Sequence, residues 1–204
     1  MRVIVFGATG KTGQHVLRAA LDGGHQVTAF GRSVERLDQS NPAQAVHKGD
    51  VFDGGAVAAA VAGHDAAIVC LGSTGLRDKT TLSAGTRAVI DALSAQGVGR
   101  LVVMSAAGVG SSWKQIPLLS KILFRTMLRN VFNDHVAQEA IVEASPLDWT
   151  IVRPAVLKDG DGTGAYTATN SGPITRITRS DVAQCLVDQL ADTTYSRSAI
   201  SVTN

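Results

Sequence analysis

Residues 7–13 read GATGKTG, so Gly7, Gly10 and Gly13 recur at three-residue spacing directly after the apolar run RVIVF at 2–6. Glycines in a strand-to-helix turn can serve an anion. One permits the tight turn, one lets the backbone approach a pyrophosphate, and one lets helix and strand pack closely. The free amides at the helix start and the helix dipole favour the negative charge. Thr9 and Thr12 add hydroxyl donors, with Lys11 between them. Glycines kept for turn geometry alone are the competing reading. The setting, after a strand and before a helix, favours dinucleotide binding, whereas the spacing of a P-loop is not met.

The end of the second strand selects between dinucleotides. An acidic residue there would accept from a ribose 2′-hydroxyl, but this chain reads FGRSVERL, with Arg32, Ser33 and Arg36. A guanidinium fork suits a 2′-phosphate, so NADP(H) is expected, a plain surface arginine being the alternative. Ligands of such sheets sit beyond the carboxyl ends of the strands. That rule adds Asp50 and Val51 (from GDV at 49–51) on the adenine side, with Asp50 as a loop cap in competition. It also adds Leu71, Gly72 and Ser73 (from CLGS at 70–73) beside the cofactor and Pro154 after the sixth strand.

For the reaction itself, no Tyr-x-x-x-Lys occurs in the chain, which argues against a tyrosine-based alcohol dehydrogenase. Ser105 ends the fifth strand and could bond a nicotinamide amide or a substrate. His135, with Glu139 four residues on, could donate or accept a proton near neutral pH. The competing readings are a strand cap for Ser105 and, for His135, a helix cap with Glu139 as a solvated partner. Hydride transfer to a conjugated acceptor can draw its proton from water, so the cofactor carries the hard chemistry.

Seven β-branched runs must position these residues, at 2–6, 26–30, 45–49, 66–71, 100–105, 148–153 and 198–202. Most are continuously apolar, as strands covered by helices on both faces are. Helical patterns lie near 12–22, 54–62, 79–97, 118–144 and 180–191. The alternation predicts an α/β fold, a doubly wound, mostly parallel Rossmann sheet. The whole chain, 1–204, reads as one domain. Residues 154–179 are irregular and form a small substrate-side segment near the C-terminus, because a connection this long is usually functional. Tyr166, Arg176 and Thr178 lie within it. Lys121, Arg125 and Arg129 recur every four residues and predict a cationic stripe on a core-packed helix, with a lid over an anionic substrate as the second reading.

The segments FGATGKTG, VTAFGRSVERL, GDV, LGSTGLRDKTTLSAGTRAVIDALSAQGV and TGAYTATNSGPITRITRSDVAQCLV together resemble the atypical short-chain dehydrogenase/reductase superfamily, the NAD(P)-binding, NmrA-like group. Within it the chain is most similar to the biliverdin IXβ reductase/flavin reductase family. The resemblance spans nearly the whole chain and implies an NADPH-dependent reductase of flavins, linear tetrapyrroles or quinones. An NADP(H)-binding sensor without turnover, of NmrA type, is the alternative. The chain departs from that family in the longer segment between VVMSAAG and NDHVAQEA. It also has Ala106 where the family has a functional serine and Val156 where it has a histidine.

Composition narrows the remaining classes. Net charge is +2, too small to argue for nucleic acid. No uninterrupted apolar run approaches the roughly 18 residues of a membrane span. Cys70 and Cys185 are far apart in the chain and show no metal-ligand spacing, so no metal is expected. With no leader-like start, a cytoplasmic location is expected, with a small molecule as partner. The sequence is compatible with a monomer or a dimer.

Overall fold

The first strand, β1 (Arg2–Phe6), is buried from Val3 onward, and its alternating side chains feed two separate cores. This is a computed structural model describing all residues from Met1 to Asn204. Val3 and Val5 pack on one face of the sheet with Val16, Leu17 and Ala20 of α1 (Lys11–Asp22) and with Val182 and Leu186 of α6 (Arg179–Asp188). Ile4 and Phe6 pack on the other face with Val57 of α2 (Gly54–Val61) and Leu82, Val89 and Leu93 of α3 (Thr81–Gln96). The period-2 geometry of a strand makes a single apolar run serve both layers.

The remaining strands are β2 (Gln26–Gly31), β3 (Gln44–Lys48), β4 (Ala66–Val69), β5 (Arg100–Met104), β6 (Asp148–Pro154), β7 (Val156–Lys158), β8 (Thr167–Thr169), β9 (Arg176–Thr178) and β10 (Ser198–Thr203). Eight form one sheet in the order β3-β2-β1-β4-β5-β6-β10-β8. All its pairings are parallel except that of β8 with β10. The fold is the expected doubly wound Rossmann arrangement. Strand order reverses between β1 and β4, and that switch point opens a crevice at the carboxyl ends of the strands. No helix is long and apolar enough to cross a membrane.

Two expectations change. The segment 154–179 is not without structure. It contributes β8 to the sheet edge and forms the small parallel pair β7–β9. Three-residue strands are too short to carry a readable period.

The helix expected over 118–144 is two helices, α4 (Leu118–Arg125) and α5 (Arg129–Glu143). The Thr126 hydroxyl donates back to the carbonyls of Ile122 (2.9 Å) and Leu123 (3.4 Å), and the backbone leaves helical geometry at that residue. Side-chain competition for carbonyls of the preceding turn is a known weakness of Thr in helices. Nor is α4 buried in the core: none of its residues is buried, Leu118, Leu119 and Ile122 are exposed, and Phe124 alone packs against the core's edge.

Buried polar groups join the layers. Asp134 of α5 accepts from the Leu82 and Ser83 amides at 2.8 and 3.1 Å, so it caps α3 from a neighbouring helix. Asp181 accepts from the Thr163 and Gly164 amides, from the Thr163 and Thr178 hydroxyls and from Asn204 Nδ2. That carboxylate pins the middle of the irregular segment to the first turn of α6.

Candidate functional site

A crevice of about 490 Å³ lies at the switch point. The glycine turn forms its floor, and sterics there admit only glycine at two positions. A Cβ on Gly7, whose φ is +79°, would lie 2.4 Å from the Cys70 carbonyl oxygen; one on Gly13 would lie 2.2 Å from that of Gly7. Gly13 therefore sets the close approach of α1 to the strand and does not itself line the crevice. A Cβ on Gly10 would meet only the Gly7 carbonyl, at 3.2 Å, and its other side is open. No side chain caps the start of α1, which leaves its first amides directed at the crevice.

Eleven residues expected at a cofactor site line this one crevice: Gly7, Thr9, Gly10, Lys11, Thr12, Arg32, Asp50, Val51, Leu71, Gly72 and Ser73. Arg32 makes no ion pair, so its guanidinium is available at the β2 end. Ser33, Arg36 and Pro154 do not line the crevice. Arg36 closes a short 3-10 turn and Pro154 ends β6, buried, with its carbonyl accepting from the Ala107 amide at 3.0 Å. Asp50 combines both readings weighed for it: it lines the crevice, and its Oδ1 accepts from the Phe52 amide at 3.1 Å.

Phe52, Met104, Leu157 and Arg179 also line the crevice, and sequence spacing did not single them out. Phe52 is 54% exposed, an apolar face unlike the rest of that loop. An exposed aromatic directly after GDV was the available signal.

Ser105 follows Met104, which lines the crevice, but does not itself line it. It is buried, and its hydroxyl has no partner in the protein. An unpaired buried hydroxyl costs about 1–3 kcal/mol, which makes it a candidate contact for a ligand group. His135 does not line the crevice. Its Nδ1 lies 3.2 Å from Gln138 Oε1. Burial lowers its pKa, against smaller opposing effects of the Gln138 contact and of the Glu139 and Asp134 charges. Burial thus disfavours the charged imidazolium and, with it, a role as proton donor.

Glu139 is no solvated partner of His135. Its two oxygens take a fork from Arg153, at 2.9 Å from Nε and 2.7 Å from Nη2, with both side chains only 4% exposed. Arg153 Nη1 donates to Ser111 at 3.0 Å.

A second cavity, of about 360 Å³, shares no lining residue with the crevice. Its walls are Trp113, Phe124 and Phe132, with Arg125 and Arg129 at the rim. The Phe124 and Phe132 rings stack at 5.3 Å, and Arg125 and Lys121 stand 5.2 and 5.7 Å from the Trp113 ring. The cationic stripe expected to be solvated is thus partly engaged with an aromatic face. Tyr166 donates to Asp188 at 2.7 Å and Thr178 caps α6, so both serve structure.

The crevice fits a dinucleotide, with backbone amides and hydroxyls for a pyrophosphate and a free guanidinium for a ribose phosphate. Comparison with known proteins agrees. Residues 7–193 match the model of an NAD(P)H-binding family. An uncharacterized chloroplastic protein of Arabidopsis thaliana is 32% identical over 80% of this chain, which spans 61% of that protein's length. A chloroplastic divinyl chlorophyllide a 8-vinyl-reductase of Oryza sativa is 31% identical over 93% of the chain, which spans 51% of it. Among solved structures, ChuY, an anaerobillin reductase from Escherichia coli O157:H7, is 25% identical with a TM-score of 0.83, covering 100% of this chain and 97% of its own.

Proposed function

The chain belongs to the NAD(P)H-binding family that includes oxidoreductases of the atypical short-chain type, and from that premise we propose that it is an NADPH-dependent reductase of a flat conjugated acceptor, a flavin, linear tetrapyrrole or quinone. In this reading residues 1–204 act as one dinucleotide-binding domain. The observation that carries it is the crevice in which the glycine turn and the unpaired Arg32 meet. Reductase relatives support the class of reaction.

The amides of the 7–13 turn, with Thr9, Thr12 and Lys11, hold the pyrophosphate. Arg32 reads the 2′-phosphate and Phe52 covers the adenine side. Leu71, Gly72 and Ser73 shape the crevice toward Met104, and the hydroxyl of the adjacent Ser105 takes the nicotinamide carboxamide or a polar atom of the acceptor. When bound, the nicotinamide supplies a hydride, which a conjugated acceptor takes without an obligatory protein acid. His135, whose charged form burial disfavours, is not required as a donor, and water supplies the proton. The aromatic cavity of Trp113, Phe124 and Phe132, rimmed by Arg125 and Arg129, suits a planar anionic acceptor by stacking and charge.

The test is oxidation of NADPH and NADH at 340 nm against FMN, riboflavin, quinones and biliverdin isomers, with Arg32→Ala alongside. Removing a charge-assisted contact of about 1.5–3 kcal/mol weakens NADPH by roughly 10- to 150-fold and leaves NADH unchanged. Loss of both cofactors equally would remove Arg32 from the phosphate. A sensor without turnover is the second reading, favoured by the absence of a Tyr-Lys pair and by a histidine outside the crevice. Tight NADPH binding with no acceptor-dependent oxidation would establish it.

A further inference from the structure

Two cations of the crevice wall share one carboxylate. Lys11, in the first turn of α1, has its Nζ 3.4 Å from Asp159 Oδ2, and Arg179, in the first turn of α6, pairs with Asp159 Oδ1. Both cations line the crevice. Each sits at the positive end of a helix, where a basic side chain is disfavoured and an anion is favoured. Packing of α1 against α6 brings those two ends together. Arg179 is 19% exposed, so its guanidinium is held in place, whereas Asp159 is 66% exposed and free to swing outward. Asp159 also directly follows β7, whose Leu157 lines the crevice, and it lies near the start of the irregular segment that Arg179 ends. One carboxylate therefore ties both ends of that segment to the glycine turn.

We propose that Arg179 is a pyrophosphate ligand of the crevice, and that Asp159 competes with the cofactor for Arg179 and Lys11. This rests on the dinucleotide reading above. Binding of the cofactor's pyrophosphate moves the two cations from carboxylate to phosphate and frees Asp159 from the glycine turn. Release of the cofactor is the reverse exchange, so Asp159 sets how readily the spent dinucleotide leaves. A carboxylate left beside a bound diphosphate repels it, which is why removing the carboxylate strengthens binding.

The experiment is titration of Arg179→Gln, Arg179→Lys and Asp159→Asn with NADPH, with ADP-ribose (which retains the pyrophosphate) and with adenosine 2′-monophosphate (which lacks it). Binding is read by fluorescence or calorimetry, and circular dichroism confirms the fold. Arg179→Gln is expected to weaken NADPH and ADP-ribose by roughly 10- to 100-fold and to leave the 2′-monophosphate unchanged, with Arg179→Lys recovering part of the loss. Asp159→Asn is expected to tighten NADPH and ADP-ribose by about 3- to 10-fold. Wild-type affinity in Arg179→Gln would overturn the assignment while the dinucleotide reading stands. Weakening by Asp159→Asn would make Asp159 a support and not a competitor. Failure of the wild-type protein to bind NADPH would overturn the dinucleotide reading itself, and this inference with it.

Discussion

Replacing Glu139 by Leu leaves the Arg153 guanidinium charged beneath the loop that follows β5, where a Cβ on Gly110 would already lie 2.6 Å from Nη2. With 4% exposure on each side chain and two hydrogen bonds of 2.9 and 2.7 Å between them, the pair is fully desolvated. Only the Ser111 hydroxyl, at 3.0 Å, would remain as a side-chain partner. Breaking a buried pair from one side costs about 3–5 kcal/mol, whereas replacing both members with apolar residues of similar volume is often neutral or better. Against a total of about 5–15 kcal/mol, the single change is severe. At about 2–4 °C per kcal/mol for this size, the melting temperature of Glu139→Leu falls by roughly 6–20 °C. Glu139→Leu with Arg153→Met recovers most of that loss. Urea denaturation of wild type, both single variants and the double variant closes the cycle. A single-variant cost below about 1 kcal/mol, or strict additivity in the double variant, would refute the claim that the two charges are dry and dependent on each other.

Gly13→Ala should push α1 away from β1, lowering the melting temperature and NADPH affinity together; affinity lost at unchanged stability would place the effect in the phosphate site and not in packing. His135 should titrate below its usual 6.5 in an NMR pH series, because burial disfavours the imidazolium; its lowered folded value means stability is lost as pH falls below the unfolded pKa, and a midpoint at or above 6.5 would contradict that burial. For Asp181, burial alone would raise the pKa, but hydrogen bonds from Thr163, Thr178 and Asn204 outweigh it and the net shift is downward. Its contribution is complete above the unfolded value of about 3.9 and is lost as pH falls through the folded one, so Asp181→Asn should flatten the acid limb of a stability profile. Trp113→Ala should raise KM for an anionic conjugated acceptor several-fold with kcat for a small quinone unchanged; an equal effect on both acceptors would remove the aromatic cavity from acceptor binding.

The sheet and the glycine floor were legible because they depend on local rules. Continuous apolar runs demand cover on both faces, and GATGKTG admits little beyond a strand-to-helix turn. What sequence did not reveal depends on contacts between distant residues. Glu139 reads as solvent-facing until β6 brings Arg153 beneath it, 14 residues on. The break at Thr126 turns on one hydroxyl choosing carbonyls of its own helix. Arg179 is one basic residue among many until the fold sets it against Asp159 and Lys11. The two halves of the site also differ in kind. Eight of the eleven crevice residues expected from sequence lie within the first 51 positions, at or just after strand ends, whereas the aromatic cavity is assembled from loops and short helices without a period.

The place of β10 between β6 and β8 has a consequence for synthesis on the ribosome. Strand β8 is made first, yet its only sheet partner is β10, with Ser201 opposite Thr169. At about 5–20 residues per second, the edge strand waits for seconds with unpaired backbone before its template emerges. The strands framing the phosphate-binding floor are complete long before then. In a nascent chain the strands around the glycine turn therefore precede the segment 154–179, and β10 is the strand that locks that segment into the sheet.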